Sequence, residues 1–198
     1  MNSNESTPPV NGPGIDFGYV LKKAGSAFID DIVTLVLAAL IACVLSVITL
    51  GVLAGPLYAG LCSMVITRVR DGKRPAIGDV FSCMDRFWTF LGASIVLLVT
   101  IGLAFVTVIG GILLLTIWMY VIPIMVDRRV GLFEAMGASK DLVLRVGFWQ
   151  HIVLVILLVA IDAVGRGPLA LLTAPFSVAV VLVAYLTLEN RVAVAPVA

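Results

Sequence analysis

Charge is what this chain has least of. Of its 198 residues only 13% are Asp, Glu, Lys or Arg, against 61% hydrophobic, and the mean hydropathy is +1.15. Soluble globular domains carry about 25% charged residues, so an ordinary soluble domain is excluded. A net charge of +1 gives no reason to expect a nucleic-acid partner or a strongly polybasic surface. Histidine occurs once and cysteine three times, at Cys43, Cys62 and Cys83. An odd number of cysteines cannot form a paired framework, and these read as packing residues. No His/Cys/Asp/Glu spacing supplies a metal site, so no cofactor is implied.

What is present is long apolar sequence. The stretches Ile32–Thr67 and Phe87–Val126 contain no ionisable residue except cysteine and tyrosine. Val146–Leu188 adds only His151, Asp162 and Arg166, tyrosine again aside. Each is about twice the length of an apolar helix that crosses a bilayer (~20 residues). The pattern predicts an all-α, polytopic membrane bundle of three helical hairpins. Residues 1–14, polar and rich in proline and glycine, read as a disordered tail with no cleavable signal peptide. A single membrane domain follows over 15–190, and 191–198 form a short C-terminal tail.

Gly and Pro residues divide each stretch near its middle. The divisions fall between Thr49 and Pro56, at Gly110-Gly111, and at Gly165-Arg166-Gly167-Pro168. Six spans result, over 32–51, 55–70, 88–108, 111–127, 147–164 and 168–188. The second is weak: sixteen residues rise about 24 Å, short of a ~30 Å hydrocarbon core, so it crosses with little tilt, thins the bilayer or is partly re-entrant. Six crossings put segments 1–31, 68–86, 127–145 and 189–198 on one side. These carry two, five, four and one Lys/Arg, leaving only Arg166 opposite. The positive-inside rule then makes both termini cytoplasmic.

The two middle connectors, 68–86 and 127–145, have equal length and lead into Phe87-Trp88 and Phe148-Trp149. In the first, Val80, Phe81, Met84, Phe87 and Trp88 fall on one face of a helix. In the second, Leu132, Phe133, Met136 and Val143 do. A third copy precedes the first span, where Phe17, Val20, Leu21, Ala24 and Phe28 form a stripe flanked by Lys22-Lys23. Such amphipathic helices lie in the headgroup plane, anchored by Trp and Lys/Arg. The repeating unit is therefore an interfacial helix, a span, a tight outer turn and a second span.

Several segments carry a resemblance. They are Ile15-Asp16-Phe17-Gly18, Gly55-Pro56-Leu57-Tyr58-Ala59-Gly60, Arg68-x-Arg70-Asp71-Gly72-Lys73 running into Gly78-Asp79-Val80-Phe81, and Pro175-Phe176. Over residues 15–190 the chain resembles the bacterial families of uncharacterised six-helix integral membrane proteins. These are loosely similar to the membrane domain of some glycerophosphodiester phosphodiesterases. The resemblance implies an all-helical inner-membrane protein and supplies no catalytic residues.

Among single residues, His151 reads as an interfacial histidine rather than a metal ligand. Asp162 and Arg166, four apart, read as a structural ion pair clamping the outer turn rather than a substrate or proton site. Gly51, Gly55 and Ala59 let one hairpin pack closely. Pro123 and Pro175 are expected to kink their spans and free the carbonyls of Met119 and Leu171. Asp71-Gly72-Lys73-Arg74-Pro75 is a basic turn without Walker spacing. Between residues 32 and 145 the spans offer only Ser, Thr and Tyr as polar side chains, so no coupled-ion site or hydrolytic constellation can be assembled there.

Three functions follow. The first is a non-enzymatic membrane protein whose cytoplasmic collar binds lipid, above all anionic lipid, or a partner protein. Its working residues would be Arg68, Arg70, Lys73, Arg74, Trp88, Arg128, Arg129 and Trp149. The bland alternative is that these residues only set topology and depth. The second is a small channel or facilitator for a neutral or apolar solute, compatible with a homo-oligomer. The third, an interfacial enzyme, would have to use His151, Asp162 and Tyr120.

Overall fold

The apolar stretches become helices and the charged segments become their corners. The computed structural model describes residues 14–165 and 169–194, and among these there is no β-strand. Helix α1 (Phe17–Asp30) is capped by Asp16, whose carboxylate accepts from the Tyr19 amide at 2.9 Å. At Asp31 the chain turns by 85° into α2 (Ile32–Ile48). The turn after α2 is closed by Thr49, whose hydroxyl donates to the Leu45 carbonyl at 2.8 Å and accepts from the Leu53 amide. Gly51, at φ 86, takes the left-handed conformation this reversal requires.

Helix α3 (Ala54–Asp71) starts with Pro56 in its first turn and stops at Gly72, φ 67, a left-handed cap. Then come α4 (Phe87–Ala104), α5 (Val108–Ile117) and α6 (Val121–Arg128). Helix α7 (Leu132–Val146) turns by 106° at Gly147, φ 129, into α8 (Phe148–Val164). The chain closes with α9 (Ala170–Val194).

Three helical segments are long and apolar enough to cross a membrane: Ile77–Ala104, Ile109–Arg128 and Ala170–Asn190. The number is five if α1 with α2, and α7 with α8, each make one bent span. Helix α3, with Arg68, Arg70 and Asp71 at its end, is not among them. It is instead the hub, packed against α2, α4, α6 and α9. Ten of its residues between Gly55 and Ile66 are buried. A helix surrounded by protein needs no lipid-length apolar face, which is why it tolerates a short one. Helix α9 is its buried counterpart, closed to the outside from Ser177 through Leu186. The outer helices reverse this. Helix α4 buries only Phe90 and Ala93, while Ile95, Leu98, Val99 and Leu103 face outward. Exposed apolar rows of this extent on α2, α4, α5 and α8 suit contact with hydrocarbon.

The structure corrects several expectations. The segment Val80–Trp88 is not one helical face. It forms two 3-10 turns, Ile77–Phe81 and Met84–Arg86, with Val80 buried and Phe81 and Trp88 exposed. The cause lies at Gly60, where any methyl would collide with the Val80 carbonyl: the connector presses backbone to backbone onto α3. The second stretch breaks at Phe105–Thr107 rather than at Gly110-Gly111. Those glycines lie in α5, where Gly111 makes room for the returning Phe105 ring. The expected span 111–127 is itself interrupted at Trp118–Tyr120, between α5 and α6. Pro123, in the first turn of α6, accounts for that break, whereas α9 continues through Pro175.

The stripe on α1 exists, but it buries Val20, Ala24 and Phe28 inside the protein, with Phe28 edge-on to Phe176 of α9 at 5.6 Å. On α7 the buried face is Ala135, Ser139, Leu142, Val143 and Val146, and Phe133 lies off it. Helix α9 runs on to Val194, past the expected start of the C-terminal tail. Of the expected N-terminal tail, residues 1–13 lie outside the described residues. Ile15 is held by its amide donating to Gln150 Oε1 at 2.6 Å.

Candidate functional site

Four charged segments converge at one end of the bundle, and the acidic residues among them decide which bases stay available. At the end of α3, Arg70 makes a two-pronged ion pair with Asp127 of α6, and its Nη2 lies 3.3 Å from Glu189 of α9. Arg128 reaches the other Glu189 oxygen at 3.1 Å. The Tyr185 hydroxyl donates to Asp127 Oδ2 at 2.9 Å, so this carboxylate, almost wholly buried, has partners on both oxygens. Three helices are thereby tied by one network. Fork-to-carboxylate geometry of this kind is strong and directional.

Arg68 does a second job of the same kind. Its Nη2 meets Asp30 at 2.9 Å and its Nε meets Asp31 at 2.8 Å, which pins the right-angle corner between α1 and α2 to the end of α3. Arg86 donates to the carbonyls of Met125 and Val130, at 3.3 and 3.0 Å, and lies over the Phe90 ring. It thus satisfies carbonyls near the end of α6 that the helix itself leaves without donors.

The eight residues expected to form the binding collar therefore separate into two groups. Arg68, Arg70 and Arg128 are engaged within the molecule. Lys73, Arg74 and Arg129 are exposed and take part in none of the ion pairs among the described residues. Arg129 occupies the left-handed position that ends α6, φ 54, which projects the chain away from the helix. Trp88 and Trp149 are 80% and 77% exposed at the first turns of α4 and α8, each edge-on to the preceding phenylalanine. Phe133, 81% exposed at the start of α7, is a third outward-facing aromatic at the start of a helix.

Beneath this end lies a buried polar layer. Tyr120 stacks edge-on to His151 at 5.6 Å and tilts against Tyr185 at 6.0 Å. His151 Nδ1 is 2.9 Å from the Gly147 carbonyl, while its Nε2 and the Tyr120 hydroxyl have no protein partner. The expectation of an interfacial histidine is corrected: His151 is completely buried, its ring against Tyr120 in the break between α5 and α6. Ser139 of α7 donates at 2.6 Å to the Ile117 carbonyl, released where α5 gives way to α6. No group of three or more His, Cys, Asp or Glu among the described residues is close enough to hold a metal.

At the opposite end of α8, Asp162 accepts a hydrogen bond from Ser177 Oγ at 2.8 Å. Arg166, its expected ion-pair partner, lies outside the described residues. The residues that the sequence reading missed are Asp30, Asp31, Arg86, Asp127, Tyr185 and Glu189. A signal for them existed: eleven of the twelve acidic residues share the four segments that hold twelve of the thirteen bases. Counting bases alone, as the positive-inside rule does, passes over the acids that neutralise them. Searches against protein-family models, curated proteins and solved structures find no match to this chain.

Proposed function

We propose that this chain is a non-enzymatic, multi-pass protein of the cytoplasmic (inner) membrane that binds anionic lipid headgroups at its cytoplasmic collar. Its six spans form three hairpins, α2–α3, α4 to α6 and α8–α9, with both termini cytoplasmic. The contacts within each of these groups, and the right-angle corners that set α1 and α7 across the helices they precede, support that arrangement. The resemblance to six-helix membrane families is consistent with it.

One observation carries the binding role: the free bases Lys73, Arg74 and Arg129 and the exposed Trp88 and Trp149 all belong to the charged segments and the first turns leading out of them. Tryptophan at headgroup level fixes depth, and each basic residue near an anionic leaflet contributes about 1 kcal/mol of attraction. A partner protein with an acidic patch is the other occupant this chemistry would accept.

The test is lipid retention. In nanodiscs of mixed phosphatidylcholine and phosphatidylglycerol, native mass spectrometry should find phosphatidylglycerol enriched on the protein. Replacing Lys73, Arg74 and Arg129 by glutamine should lower its apparent affinity about a hundredfold at low salt, since three such contacts are lost. An unchanged lipid complement in that variant would remove the proposal. Enrichment of a polypeptide in place of lipid would transfer the role to a partner protein.

A further inference from the structure

Among the arginines engaged within the molecule, Arg128 is held least firmly. It ends α6, next to the free Arg129, and its side chain is 46% exposed. Its Nε and Nη2 lie 3.2 and 3.1 Å from the same oxygen of Glu189, Oε1. Charge-assisted bonds of full strength are shorter, about 2.7–2.9 Å, and a guanidinium fork gains its directionality by meeting two acceptor oxygens rather than one. The second Glu189 oxygen is taken by Arg70 Nη2, at 3.3 Å. An exposed pair of this geometry contributes little stability in water.

Arg70 and Arg68 stand in contrast. The Arg70 guanidinium meets both oxygens of Asp127, a carboxylate only 4% exposed, so withdrawing it leaves a buried charge behind. Arg68 is shared between Asp30 and Asp31 at 2.9 and 2.8 Å. Arg128 can leave its acid at small cost, and Glu189 then keeps Arg70 as a partner. A phosphate also offers Arg128 more than Glu189 does, because its oxygens match the planar fork two at a time. We infer that Glu189 stands in for a headgroup phosphate: its carboxylate masks Arg128, and loss of that negative charge adds Arg128 to Arg129 in holding an anionic lipid phosphate. The masking rests on the collar's lipid binding proposed above and extends it to a fourth base.

A double-mutant cycle tests it in nanodiscs of phosphatidylcholine and phosphatidylglycerol, with phosphatidylglycerol retention read by native mass spectrometry. Glu189→Gln should raise the apparent affinity about fivefold at low salt, the factor that the ~1 kcal/mol of one basic residue corresponds to. Glu189→Met, of similar length and uncharged, should give the same gain; a gain confined to glutamine would overturn the inference. Arg128→Gln should change the affinity less than about twofold in the parent and lower it about fivefold in the Glu189→Gln protein. Independent surface charges would instead give Arg128→Gln the same effect in both backgrounds, and that result would overturn the masking. So would a Glu189→Gln protein that binds phosphatidylglycerol no better than the parent. Glycerol phosphate in solution should displace no more lipid than sodium chloride of equal ionic strength; selective displacement would assign Arg128 to a free phosphate and overturn the lipid as its partner. The glutamine variant of Lys73, Arg74 and Arg129 keeps the two readings apart. If it loses phosphatidylglycerol while Glu189→Gln gains none, the collar stands and the masking falls. If it retains phosphatidylglycerol, the collar falls and the masking with it.

Discussion

Arg70→Ala is expected to destabilise the protein by about 2 kcal/mol, the cost of leaving the buried Asp127 carboxylate without the half-exposed guanidinium that pairs with it. Asp127 is the reason. Its side chain is only 4% exposed, and without the guanidinium its charge would keep the Tyr185 hydroxyl as its remaining hydrogen-bond partner. The loss propagates, because the same guanidinium also reaches Glu189 and so links α3, α6 and α9. Replacing both partners, Arg70→Met with Asp127→Leu, should recover much of the loss, since apolar residues of similar size often replace a buried pair at little cost. Lys73→Ala, a few residues away but unpaired and exposed, should change stability by no more than ~0.5 kcal/mol. Chemical unfolding in micelles reads all three. An Arg70→Ala protein as stable as the parent would mean that the network is incidental.

The second large effect is expected at Leu98, 75% exposed on the outer face of α4. On a water-facing surface Leu→Asp is harmless or improves solubility. At the centre of a membrane-spanning helix it costs about 3 kcal/mol of insertion free energy, which is more than a hundredfold in the inserted fraction. Leu98→Asp should therefore sharply reduce the membrane-integrated yield. An aspartate at Val180, fully buried on α9, would be damaging in either environment, so only the exposed position discriminates. Normal integration of Leu98→Asp would place the outer face of α4 in water.

These two sites mark the boundary of what could be read from the chain. Long uncharged runs announced helices, and Gly51, Pro56 and Gly72 announced their ends, because chain reversals and caps need particular backbone conformations that few residues provide. Hydropathy set α3 apart from α4 only as a shorter apolar run and could not say that one is buried in protein while the other faces outward, because protein interior and lipid are both apolar. For the same reason the weak apolar length of α3 pointed to a thinned bilayer or a re-entrant segment instead of a central position. His151 looked interfacial because it follows Trp149, whereas its ring is buried inside the protein against Tyr120. The collar was legible as a cluster of bases, yet not as a set of pairs. Asp30 with Arg68 and Arg70 with Glu189 are 38 and 119 residues apart, and only tertiary packing brings them together.

The proposed six-span topology rests on α3 crossing the membrane, and one accessibility experiment decides it. In a variant lacking the native cysteines, single cysteines are placed at Leu50, 94% exposed in the turn between α2 and α3, and at Lys73, just beyond α3. Intact cells are treated with a membrane-impermeant maleimide before and after permeabilisation. Six spans with cytoplasmic termini predict that Leu50→Cys is labelled in intact cells and Lys73→Cys only after permeabilisation. Labelling of both positions in intact cells would show that α3 does not cross, and would put the bases of the 68–86 connector on the wrong face of the membrane for a cytoplasmic collar.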